Sequence, residues 1–175
     1  MSERRVNIVG VGNSLMGDDG VGPAVIERLG RRGTTDGVVL HDAGLAVSDV
    51  LGLLDPSDPL IVIDAVRAGG RPGQVHRFRL NVFDLDGEPL AGAVSLHELS
   101  VVPALGIEVL TGRIFGDVTV FGVEPGVVAW GEGLSPAVAD AVEHLVDEIL
   151  AHLKNGPAPE PAAEAAGGSP RRDVS

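Results

Sequence analysis

The sequence predicts an α/β fold: a mostly parallel sheet sandwiched between helices and folded as a single domain. Three observations carry this expectation. Short apolar-rich runs such as those at 6–9 and 60–63 lack regular in-out alternation, as in strands buried on both faces. Segments with a helical apolar stripe stand between them, the order that joins parallel strands through crossovers. The chain has 175 residues, 44% hydrophobic and 22% charged, which suits one well-buried core.

The elements follow in order. Residues 6–9 form an apolar run stopped by Gly10, and Val21, Val25, Ile26 and Leu29 then make a helical stripe that Gly30 is expected to end. A second strand is expected over 37–42 and a third over 60–64, each closing on an aspartate, with one or two helical turns over 47–54 between them. Residues 74–80 do alternate, His76, Phe78 and Leu80 opposing Val75, Arg77 and Arg79, so they predict an edge strand with one solvated face. Residues 117–123 read as another buried strand. The last helix has Ser135 as N-cap, Pro136 in the first turn, and a stripe of Val138, Ala141, Val142, Leu145, Val146, Ile149, Leu150 and Leu153. The domain is expected to span 1–154. Residues 155–175, rich in Pro, Ala, Gly and charge, are expected to be a disordered tail.

Composition removes several classes of function. A net charge of −12 disfavours nucleic acid and anionic membrane as partners. The absence of cysteine excludes a thiolate nucleophile or thiolate metal ligand and leaves carboxylate and imidazole. Neither a signal-peptide h-region nor a run approaching ~20 apolar residues is seen, and the expected location is cytoplasmic.

The first loop, GVGNSLMGDDG over 10–20, has the glycine spacing of a phosphate-cradling loop, but Asp18 and Asp19 stand where its lysine and hydroxyl residue would be. The dinucleotide fingerprint fares no better, because Leu15 replaces its third glycine and two carboxylates at a helix entrance repel a pyrophosphate. Such a loop is better suited to a metal cation. In an open parallel sheet, ligands bind outside the carboxyl ends of the strands. Asp19, Asp64 and His97 all map to that edge. Ser95 and Glu98 have capping-box form, which puts His97 in a first helical turn where the dipole opposes its protonation. Two carboxylates and a neutral imidazole can hold a divalent cation. Taken singly, each has a plainer reading: Asp18 and Asp19 as turn or capping residues, Asp64 as a cap for the next loop, His97 as an exposed helix-start residue. His41 and Asp42 share the edge, Asp42 being explicable as turn chemistry, and Glu124 is a lower-ranked fourth candidate.

Taken together, GVGNSLMGDDGVG, IVIDAV at 61–66, SLHELS at 95–100, and FGVEP followed by GEGLSPAV resemble the hydrogenase maturation endopeptidases, in the same order from about residue 6 to about 153. These enzymes remove a carboxyl-terminal extension from the large subunit of nickel-iron hydrogenases. The resemblance implies a twisted sheet of about five strands, and a metal site whose three ligands correspond to Asp19, Asp64 and His97. Some members carry Glu where this chain has Asp19. It also implies a precursor cleaved after nickel insertion, so that nickel, delivered by the substrate, is the expected metal and the large-subunit precursor the expected partner. Metal-assisted and aspartic-type chemistry both remain open, and the resemblance leaves oligomeric state undefined. Two rival functions stand beside it: a metal-dependent hydrolase of a small substrate, of aminopeptidase or phosphatase type, with Arg67 and Arg71 as specificity groups; and a non-enzymatic nucleotide-sensing module using the glycine loop.

Overall fold

The computed structural model describes residues 5–82, 99–131 and 133–155. Strands β1 (Val6–Val11), β2 (Val38–Gly44), β3 (Leu60–Ala65), β4 (Val75–Leu80) and β5 (Val118–Val123) form one sheet in the order β2-β1-β3-β5-β4. Pairing is parallel except between β4 and β5. Strand β4 is the edge strand that its alternation predicts, with Arg77 and Arg79 exposed and Leu80 buried, and its pairing with β5 is antiparallel.

Helices α1 (Val21–Arg32) and α4 (Pro136–Asn155) cover one face, and α2 (Val47–Leu53) and α3 (Val101–Leu110) the other. Each face owns a core. Ile8, Ile61, Ile63 and Phe121 point toward Val25, Leu29, Val142 and Leu145, whereas Val9, Leu60, Val62 and Val120 pack with Leu51, Leu105 and Phe115. This two-sided burial is why the parallel strands lack polar alternation. Arg113 ties α2 to α3: its Nη2 donates to the carbonyls of Leu51 and Leu54 at 3.0 and 2.6 Å, satisfying the carboxyl end of α2, while Nε pairs with buried Glu108.

Two expected boundaries move. Helix α1 runs through Gly30, whose position meets only a Leu40 methyl at 3.9 Å, and ends instead at Gly33 with φ 79°. Strands β2 and β3 pass their aspartates and stop at Gly44 and Ala65. The last helix reaches Asn155, so 156–175, nearly all of the expected tail, lies outside the described residues. No helix among the described residues is long and apolar enough to cross a membrane.

The entry of α1 is pressed onto the sheet edge, which fixes where the preceding loop must lie. A Cβ at Gly22 would sit 2.2 Å from the Val11 carbonyl oxygen, 2.4 Å from its nitrogen and 2.7 Å from the Ile63 oxygen. All three are backbone atoms and cannot swing away. Gly22→Ala is expected to cost roughly 2–3 kcal/mol or more, seen as a lower urea midpoint. An unchanged midpoint would show that α1 can lift off without penalty.

Candidate active site

The strand order has its switch point between β1 and β3: from β1 the chain moves to β2 on one side, then returns to β3 on the other. Crevices at such points lie between diverging loops and receive ligands. Asp19 and Asp64 both stand at this one. Asp19 belongs to a single 3-10 turn, Gly17–Gly20, that follows β1 and feeds α1. Gly12 permits that turn to fold back, because its φ is 127° and a Cβ there would lie 1.8 Å from the Asp19 carbonyl oxygen. The Asn13 amide then donates to Asp19 Oδ2 at 2.8 Å, which orients the half-buried carboxylate.

Asp64 is 1% exposed, and the Ser100 amide, at the N-cap of α3, donates to its Oδ2 at 2.9 Å. Its pKa is pushed up to about 6, first by desolvation; the bonds from Ser100 and Ala65 pull the other way, and the nearby negative charge of Asp19 raises it further. The two carboxylates thus sense one another. A buried anion destabilised by desolvation is what a cation would relieve, and two oxygen donors with no thiolate suit a hard or borderline divalent metal. Among the described residues no group of three or more metal-ligating side chains assembles. His97, with Ser95 and Glu98, lies outside the described residues; Ser100, three positions after His97, is the residue bonded to Asp64.

Asp18 differs from its expected role as a turn residue. It is 0% exposed, and its carboxylate accepts from the amides of Gly126, Val127 and Ser135 at 2.8, 2.7 and 2.6 Å and from the Ser135 hydroxyl at 2.8 Å. Burial acts to raise its pKa, but the bonds from Val127, Ser135 and Gly126 outweigh it and hold the carboxyl below its ordinary value. Ser135 does precede α4 as expected, its carbonyl receiving the Ala139 amide, but its hydroxyl serves Asp18. With the mutual backbone bonds of Gly17 and Leu15 to Gly131, and of Asp18 to Val127, this fastens the glycine loop to 126–131. The Asn13 amide is taken by Asp19, and those of Gly12, Met16, Gly17 and Asp18 by backbone carbonyls, so these loop amides are not left for a phosphate as they would be in a nucleotide-binding loop.

The remaining candidates are engaged elsewhere. Asp42 is exposed and accepts the Gly44 amide at 3.1 Å, as turn chemistry predicts. His41 Nε2 lies 3.0 Å from Asn7 Oδ1, and burial lowers its pKa. Buried Glu124 accepts the Ala68 amide at 2.8 Å and faces His76 Nε2 at 3.6 Å, closing the loop after β3. Arg67 and Arg71 in that loop are exposed.

Comparison with known proteins gives one consistent result. Residues 23–152 match the family described as hydrogenase maturation protease. The hydrogenase 2 maturation protease of Escherichia coli is 31% identical over 155 residues, 86% of this chain and 91% of that protein. The hydrogenase expression/formation protein HupD of Bradyrhizobium diazoefficiens is 30% identical over 149 residues, 83% and 76% of the two chains. Among solved structures, the E. coli hydrogenase maturating endopeptidase HybD superposes with a TM-score of 0.71 at 28% identity, covering 86% of this chain and 92% of that one. The hydrogenase 2 maturation peptidase of Thaumarchaeota archaeon SCGC_AB-539-E09 gives 0.67 at 32% identity, with 86% and 98% covered.

Proposed function

Because this chain belongs to the hydrogenase maturation protease family, we propose that it is the endopeptidase that removes the carboxyl-terminal extension of a nickel-iron hydrogenase large-subunit precursor once nickel has been inserted. The observation that carries the reading is the pairing of Asp19 and Asp64 at the switch-point crevice, each held by a backbone amide, one of them buried and strained toward protonation. The small-substrate and nucleotide readings have no comparable support: the loop amide at Asn13 is taken, and Arg67 and Arg71 stand in solvent.

Asp19, Asp64 and His97 would complete the coordination of a nickel that arrives with the precursor. His97 is tied to Ser100 by three peptide units, at most ~11 Å of chain, and Ser100 touches Asp64. Bound there, the metal supplies Lewis-acid polarisation of the scissile carbonyl or a water of lowered pKa. The protein's own part is orientation. The Asn13 amide holds Asp19 by Oδ2, and the Ser100 amide, with a further bond from Ala65, holds Asp64, so both carboxylates are fixed before a substrate arrives. Two carboxylates at one crevice, with the pKa of Asp64 raised, also support an aspartic-type assignment in which Asp64 holds the proton. The work is expected to occur in the cytoplasm.

Two carboxylates and an imidazole have little intrinsic preference for nickel, so selectivity must come from a metal already anchored in the precursor. Protease stripped with a chelator, then freed of it, is expected to cut nickel-loaded precursor in metal-free buffer and to leave nickel-free precursor, simple peptides and phosphate esters intact. Cleavage of the nickel-free precursor, or a need to return free metal to the protease, would refute substrate delivery.

A further inference from the structure

Beside Asp19 the sheet edge opens into a cleft of about 180 Å³ between α2 and α3. Its walls are Leu45, Val47, Pro103, Ala104 and Ile107, with Ser48 beside Val47, and among the described residues that line it Asp19 alone is charged. Val47 and Ala104 belong to the buried core and hold the walls in place. Leu45 and Ile107 are 76% and 52% exposed, two large apolar side chains left in water at the rim. Ser100 also lines the cleft, and its amide is bonded to Asp64, so the floor runs from one proposed catalytic carboxylate to the anchor of the other. The neighbouring cleft of about 360 Å³ on the far side of the glycine loop is edged by Glu27 and Asp42 and does not reach Asp19.

We propose that the cleft between α2 and α3 is a specificity subsite that receives the aliphatic side chain of a residue flanking the scissile bond, with Leu45 and Ile107 setting the preference. This rests on the protease reading. A peptide lying extended across Asp19 and Asp64 sends alternate side chains to opposite sides, so only one enters the cleft. Cavities of about 150 Å³ hold a molecule the size of benzene, and this cleft accordingly fits one branched aliphatic side chain. Entry of such a side chain covers Leu45 and Ile107, whereas a carboxylate there would lose its water beside Asp19. In apolar pockets a single methylene is discriminated by roughly 10–200-fold, which sets the scale of preference.

The test uses full-length protease and nickel-loaded large-subunit precursors in which each residue flanking the cleaved bond is changed in turn to Val, Gly, Asp or Lys. Wild-type protein is expected to show kcat/KM at least ~10-fold higher for Val than for Asp or Gly at one of the two positions. Ile107→Glu is expected to lower cleavage of the Val precursor by a similar factor and to recover when that position is Lys. Ile107 is exposed enough for Glu to be carried without loss of fold, which thermal melting verifies, and Leu45→Glu provides an independent second variant. Equal kcat/KM for Val and Asp at both positions, or a Glu variant whose loss is the same on every precursor, would overturn the subsite. Wild-type protein that cuts none of the loaded precursors would overturn the protease reading instead.

Discussion

Asp64→Asn yields a folded protein that no longer processes nickel-loaded precursor, and the folded state is more stable than that of the parent. Processing is expected to fall roughly 100-fold or more, because the amide removes the charge that a cation or a proton shuttle requires while preserving side-chain volume. Stability rises for the opposite reason. Asp64 is 1% exposed, and desolvation pushes its pKa from the ordinary 3.8 to about 6, so its ionised form is disfavoured by folding. That displacement corresponds to at most about 3 kcal/mol at neutral pH; an asparagine Oδ1 can still accept the Ser100 amide, but its NH₂ cannot accept the Ala65 amide, so the variant should recover only ~1 kcal/mol of it in metal-free buffer. A folded pKa above the unfolded one means that the native state binds more protons between the two values, so wild-type stability falls as pH rises from about 4 through 6. The advantage of Asp64→Asn is therefore complete at pH 7 and shrinks toward pH 4. Denaturant midpoints of both proteins across that range decide it. Near-normal processing would remove Asp64 from its role, and a pH-independent stability difference would show that its burial is not what raises the pKa.

Asp18→Asn gives the reverse pattern. The carboxylate accepts four donors, and an asparagine would turn its own NH₂ toward N–H groups, leaving buried donors unmatched. The expected cost is about 3–5 kcal/mol, a melting temperature lower by roughly 10 °C. Because the folded pKa is depressed, this contribution is present above the ordinary carboxylate range and lost as pH falls through the lower folded value. The variant should then be flatter than wild type in acid. Per folded molecule, processing should suffer far less than in Asp19→Asn, whose loss is chemical. A wild-type melting temperature for Asp18→Asn, or equal processing losses at Asp18 and Asp19 in fully folded protein, would mean that the two roles have been exchanged.

Neighbouring aspartates with opposite roles show where sequence reading stops. The strands, α1 and α4 were legible because apolar periodicity is local: Val21, Val25, Ile26 and Leu29 share a face by helix geometry alone, and 60–63 is apolar throughout because both faces are covered. The placing of Asp19 and Asp64 at one edge followed from the same logic, since parallel strands all end there. What the sequence could not contain was the choice of partners. Asp18 meets Gly126, Val127 and Ser135 across 108 to 117 positions, and no local pattern distinguishes it from its neighbour. Likewise, Ser100 reaches Asp64 across 36 positions, and the raised pKa there arises from the whole core that excludes water around it. Edge order, the antiparallel placement of β4 beside β5, and the apolar cleft beside Asp19 are of this kind too. Periodicity determines which face of each element is buried; long-range contact and desolvation exist only once the elements have met, and these decide which of two identical carboxylates is buried against 126–135 and which stands at the switch-point crevice.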